Sequence, residues 1–145
     1  MPRPNIKSLI GKLNETCRKA LESAAGLCLS QTHYEVDIEH FLIKLLEMPN
    51  TDLQKIFRHF EINETRLVND LTRALEGFKR GNARTPALSP HIPAMVRDAW
   101  LVAYIDPQTS LIRSGHIIMA LMSSDEMSRM LLSGSGEFKK ISAET

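Results

Sequence analysis

Two histidines, His40 and His116, each stand second in a matching apolar run, EHFLIKLL over Glu39–Leu46 and GHIIMALM over Gly115–Met122. Imidazoles at equivalent places could share a metal ion or pass a proton. Neither run supplies the rest of such a site. No second His or Cys stands at metal-ligand spacing beside either, and the H-E-x-x-H pattern is absent. Near a helix start, beside apolar neighbours, each ring is expected to hydrogen-bond a nearby backbone group and fix its helix. Cys17 and Cys28 offer thiols, with five histidines as bases. Both cysteines fall on the apolar face of one predicted helix, about three turns and roughly 16 Å apart. A disulfide needs Cα atoms within about 7 Å, so both read as small, reduced core residues. No G-x-x-x-x-G-K-[ST] loop occurs, and SGSGE at Ser133–Glu137 and KRGN at Lys79–Asn82 lack its Lys-Ser/Thr pair.

The elements that must position these residues are helical. A chain of 145 residues that is 43% hydrophobic suits one domain with a substantial core. Its apolar residues recur at spacings of three and four. After Pro4 and Asn5, Ile6, Leu9, Ile10 and Leu13 predict a short helix interrupted by Gly11. Asn14 caps a longer one with Cys17, Leu21, Ala24 and Cys28 on one face, running to about Ser30. QTHYEV, Gln31–Val36, is a connection. Asp37 opens the helix of His40, Leu42, Ile43 and Leu46, which Pro49-Asn50 ends. Thr51 with Gln54 opens the next through Ile56, Phe57 and Phe60, and Asn63 one through Leu67, Leu71 and Leu75. Arg80–Ala87 loses the period and reads as a linker. Ser89-Pro90 starts the helix of Val96, Ala99, Trp100, Val102 and Ala103, and Asp106-Pro107 stops it. Ser114 caps the helix of His116, Ile117, Ala120 and Leu121. Ser123 with Glu126 caps a last one through Met127, Met130 and Leu131. The ending SGSGEFKKISAET turns polar and reads as the start of a connection.

Set side by side, Asn14–Phe60 and Ser89–Leu132 run in the same order: long helix, loop, histidine-led helix, short helix. The expected fold is all-α: two pseudo-twofold-related repeats of about four helices each, plus an extra N-terminal helix, covering one another's apolar faces. The expected segments of this single domain are 1–13 for the extra helix, 14–79 and 89–133 for the repeats, 80–88 for the linker, and 134–145 for an outgoing connection.

The function classes narrow with the charge. Lys and Arg total 18 against 17 Asp and Glu, a net +1, so no global field favours nucleic acid or an anionic membrane. Lys79, Arg80 and Arg84 read as a solvated loop rather than a phosphate site. The histidine-led helices are too apolar to read a DNA groove. No run approaches the roughly 20 apolar residues of a membrane span, and no signal-peptide core is present, so the expected location is cytoplasmic.

Two copies of a long helix followed by IEHFLIKLL and SGHIIMALM resemble the Clp N-terminal domain of AAA+ unfoldases and disaggregases, across nearly the whole chain. The second copy has Gly115 where the family's motif has Glu. The helix ahead of the first repeat and ALSPHIPAMVRDAWLVA, Ala87–Ala103, look like the type VI secretion branch, ClpV (TssH); EFKKISAE is similar to its segment leading to the first ATPase ring. The resemblance implies a bacterial, non-catalytic recruiting domain, monomeric alone and carried by a homohexamer whose rings hold the ATP and Mg. Its implied partner is the N-terminal amphipathic helix of a contracted-sheath subunit, TssC (VipB). Adaptor-protein docking, as in the housekeeping Clp unfoldases, is the alternative.

A partner helix needs an aliphatic groove with a few polar groups to set its register. Ile6, Leu9, Ile10 and Leu13 are expected to form one wall against the helix Asn14–Ser30. Thr16, Lys19, Ala20 and Ser23 face that wall, and Thr85, Leu88 and Ser89 supply contacts where the second repeat begins. Such a groove gives affinity on the order of micromolar, raised by avidity in a ring.

Overall fold

The computed structural model describes residues 6–105 and 110–141, Ile6 by its backbone only. Pro4, Asn5, the Asp106-Pro107 helix stop and residues 142–145 lie outside the described residues. In chain order the helices are α1 (Ile6–Ile10), α2 (Glu15–Ser30), α3 (Ile38–Glu47), α4 (Asp52–His59), α5 (Glu64–Glu76), α6 (His91–Ile105), α7 (Ser114–Ser123) and α8 (Asp125–Gly134). A 3-10 helix follows at Gly136–Lys140. Two short strands, β1 (Glu35–Val36) and β2 (Ala87–Leu88), lie in stretches read from sequence as irregular. Two residues are too few to show an alternating pattern.

The duplication is visible residue by residue. Cys17, Ala20, Leu21, Ala24 and Cys28 of α2 are buried, and Ile92, Met95, Val96, Ala99 and Ala103 of α6 repeat that pattern at a constant shift in sequence. α3 packs on α2 as α7 packs on α6, with α5 behind α3 and α4 against α7.

Among the described residues, backbone pairing joins the halves at two places. Val36, just ahead of α3, pairs in parallel with Leu88, just ahead of α6. Ile112, ahead of α7, pairs in parallel with Leu13, ahead of α2. Each pairing ends with a residue at the entry to a long helix donating its N–H across: Ser89 to the Val36 carbonyl at 2.9 Å, and Asn14 to the Ile112 carbonyl at 2.8 Å. Otherwise unpaired backbone groups at the helix entries are thus satisfied by the opposite repeat.

Most helix starts follow the sequence reading. Asn14, Thr51 and Asn63 accept the N–H groups of Cys17, Gln54 and Arg66 on their side-chain oxygens. Asp37 accepts that of Ile38. Two starts differ. The cap of α8 is Ser124, which accepts from Met127, rather than Ser123. Ser114 is the first residue inside α7, and its hydroxyl accepts the Leu53 N–H at 3.0 Å, serving α4 of the other repeat.

The polar ending is also packed more closely than its composition indicates. Phe138 is buried, and Glu137 accepts the Asn63 N–H at 2.8 Å, so Gly136–Lys140 lies on the body of the domain. One phenylalanine in a run of small and charged residues is too weak a signal to show this burial.

Candidate functional site

His40 and His116 do the same work at the heads of α3 and α7. His40 Nδ1 accepts the Asp37 N–H at 2.9 Å, and His116 Nδ1 accepts the Arg113 N–H at 2.9 Å. Each ring takes the reciprocal role that Glu or Gln fills in a capping box. The backbone partner expected from sequence is therefore present in both copies.

Folding brings His40 company that linear spacing conceals. The ligand atoms of Cys28, His33 and His40 lie within 4.8 Å of one another, all buried, with His33 Nδ1 2.9 Å from His40 Nε2. The donor set resembles a soft-metal site, but its hydrogen bonds do not fit one. A ligating histidine donates its second ring N–H, whereas His40 Nδ1 accepts a backbone proton. A metal on Nε2 would leave His40 as imidazolate or orphan the Asp37 N–H. Nucleophilic catalysis fits no better: burial pushes the Cys17 thiol up to about 12 and also raises that of Cys28.

The chemistry available to the surface is apolar docking. Leu101, Tyr104 and Ile105 are 62%, 76% and 79% exposed. Their spacing of three and four sets them on one ridge at the end of α6. Trp100 lies half-buried beside them, with its ring 6.2 Å from that of Tyr104 and Lys12 Nζ 4.9 Å above it. α1 lies against this same helix.

The duplicated repeat supplies an internal control. By the shift that aligns the buried faces, Leu101, Tyr104 and Ile105 correspond to Gly26, Leu29 and Ser30 of α2. Only Leu29 keeps a large apolar side chain. Packing the body does not require the ridge on α6, since α2 packs in the same way with a small and a polar residue at two of its three positions.

The residues proposed from sequence separate into three groups. Leu9, Leu13 and Ala20 are buried in the core, and Ile10 is half-buried against it; the Ile6 side chain lies outside the described residues. Thr16 is half-buried, while Lys19 and Ser23 are exposed on α2, with Lys19 3.1 Å from Glu15. Thr85 is exposed, Leu88 half-buried in β2, and the buried Ser89 accepts the His91 N–H at the start of α6. The helix that both α1 and β2 adjoin is α6 rather than the α2 expected from sequence. Leu101, Tyr104 and Ile105 went unread because the period locates the buried face of α6 and says little about its outer one. Comparing α6 with α2 position by position is the signal that exposes them.

The Clp repeat (R) N-terminal domain family matches residues 12–134. The chain belongs to this family. Among relatives of this Clp repeat domain, the AAA+ ATPase ClpV1 of Pseudomonas aeruginosa is 31% identical over 137 residues, which are 94% of this chain and 15% of that protein. The chain thus spans about a seventh of the length of that curated relative. A solved structure from work on the ATPase ClpV, the TssB-TssC sheath and the accessory HsiE protein superposes with a TM-score of 0.93 at 30% identity, covering 99% of this chain and 89% of that one. The complex of a ClpV N-domain with a VipB peptide superposes with a TM-score of 0.82 at 30% identity, covering 99% and 88%. The family match begins at Lys12, so α1 precedes it, whereas both structural matches extend over nearly the whole chain. Among the described residues no helix is long and apolar enough to cross a membrane.

Proposed function

We propose that this Clp repeat domain recruits a type VI secretion sheath subunit, TssC (VipB), to a AAA+ ATPase by seating the subunit's N-terminal amphipathic helix along α1 and α6. The observation that carries the reading is the ridge of Leu101, Tyr104 and Ile105, present on α6 beside α1 and largely missing from the matching face of α2. The peptide-bound ClpV N-domain, which matches over α1 as well, supports it. An apolar helix face needs this kind of aliphatic and aromatic ridge, with Lys12 and Trp100 at its edge. The domain itself acts by binding. ATP and Mg²⁺ chemistry belongs to rings outside this segment, in a homohexamer of the bacterial cytoplasm, where several weak sites raise avidity.

A photo-crosslinking residue placed at position 104, and separately at its repeat counterpart, position 29, tests the assignment against a TssC N-terminal peptide. Capture at 104 with none at 29 is the expected result. Equal capture at both, or capture at 29 alone, contradicts it. Failure of the peptide to bind the folded domain at all would favour adaptor docking.

A further inference from the structure

The buried histidine pair lies where the chain crosses from one repeat to the other, and its protons are fully assigned by its neighbours. Because His40 Nδ1 accepts the Asp37 N–H, neutral His40 carries its proton on Nε2 and donates it to His33 Nδ1. His33 must then carry its own proton on Nε2, and that buried atom meets no partner among the described residues. Neither ring has a free lone pair. A further proton on His33 must enter at Nδ1, where the His40 N–H already points. One on His40 must enter at Nδ1, against the Asp37 N–H. Uptake of a proton therefore breaks a buried or part-buried hydrogen bond, whichever ring receives it.

The turn that carries His33 also holds the segment between the repeats. Asn82 Nδ2 donates to the His33 carbonyl at 3.1 Å, the Asn82 N–H to the Thr32 carbonyl at 3.0 Å, and the Gly81 N–H to Thr32 Oγ1 at 3.1 Å. Phe78 lies against both imidazoles, with ring centroids 5.4 and 5.5 Å away. Thr32, β-branched, is held at φ 57° in the left-handed region, and it meets Gly81, whose φ of 98° glycine adopts without steric cost.

We propose that the His33–His40 pair is an acid-sensitive latch: one added proton displaces His33 and releases residues 78–84 from the first repeat while the helical body stays folded. Charged and titratable groups act on it from each side. From α2, the Cys28 thiol donates weakly to the His33 carbonyl. At the head of α3, Asp37 favours charge on His40, and on the inter-repeat segment Arg80 opposes charge on His33. Glu35 of β1 acts on Cys28, and Lys79 rests over the Tyr34 ring. Burial is the largest influence on both rings and keeps them neutral.

Amide exchange and imidazole resonances followed together by NMR test the latch on this chain. Between about pH 7 and about pH 3.5, a range that spans the value of about 4 to which burial lowers His40, the Gly81 and Asn82 amides are expected to lose about tenfold in protection, after correction for intrinsic exchange, as the pair titrates. Amides of α2 and α7 stay protected. In His33→Phe, the same two amides are expected to exchange without a pH step. Three results would overturn the proposal: protection at Gly81 and Asn82 that persists through the titration, protection lost only together with α2 and α7, or an unchanged pH step in His33→Phe. If that variant does not fold, the wild-type titration decides between local release and global unfolding.

Discussion

Arg113 grips Asp52 with two parallel hydrogen bonds, Nε to Oδ2 and Nη2 to Oδ1, both at 2.7 Å, and the two residues belong to different repeats. The guanidinium holds the Asp52 carboxyl below its usual range, against an opposing pull from burial. Arg113 is half exposed, so solvent screens the pair and its worth is that of a well-formed surface bridge. A double-mutant cycle with Arg113→Ala and Asp52→Asn should give a coupling of about 1 kcal/mol in denaturant unfolding. A coupling near zero would mean that this bridge does not help to hold the two halves in register.

Gly115 stands where α7 crosses α4, and a Cβ there would lie 3.3 Å from the Asp52 Cβ. Asp52 cannot retreat, because Arg113 and the first turn of α4 hold it. Gly26, on the open side of α2, has nothing among the described residues within 4 Å of the corresponding point. Gly26→Ala should therefore stabilise the domain by about 0.5–1 kcal/mol, the usual helical gain. Gly115→Ala should show no gain, and Gly115→Glu, the residue type of the first copy, should be destabilising. Thermal unfolding of the three variants checks the contrast.

His91 links three elements, with Nδ1 3.0 Å from Asp37 Oδ1 and Nε2 3.5 Å from Glu126 Oε1. Burial lowers its pKa, but the hydrogen bond and charge of Asp37, with the charge of Glu126, outweigh it and leave the pKa raised. The folded state then binds a proton more tightly than the unfolded one. The resulting stability is fully present below the ordinary imidazole range and is lost as pH rises through the raised value. His40 behaves oppositely. Burial first, then His33, lower it to about 4, so the stability present above the ordinary range is lost as pH falls toward that value. Unfolding free energy should decline on both sides of a maximum, and His91→Gln should flatten only the alkaline side.

Much of the architecture was legible because helices announce themselves through period and caps. Asn14, Thr51 and Asn63 were readable as starts, and the repeat of EHFLIKLL in GHIIMALM showed the duplication. The strands were not legible: Val36 and Leu88 pair through backbone groups, to which side-chain pattern is blind. The gathering of Cys28, His33 and His40 was hidden because it depends on how the turn after α2 folds back onto α3. Of the docking face proposed above, the sequence named α1, but an amphipathic short helix does not reveal which long helix it will lie on.

The burial of Leu9 changes how the binding surface must be tested. At 4% exposure, Leu9→Asp places a charge in the core, and any loss of binding would be confounded with loss of fold. Leu101→Asp and Tyr104→Asp leave the core intact. Both should retain wild-type helicity and unfolding temperature.

Calorimetric titration of the domain with a synthetic peptide spanning the N-terminal helix of the TssC sheath subunit, beside Leu101→Asp and Tyr104→Asp, bears most directly on the recruiting role. Binding on the order of micromolar by the wild type, weakened about tenfold or more in each variant with folding unchanged, is the predicted result. Wild-type affinity in both folded variants, or no binding by the folded wild-type domain, would contradict it.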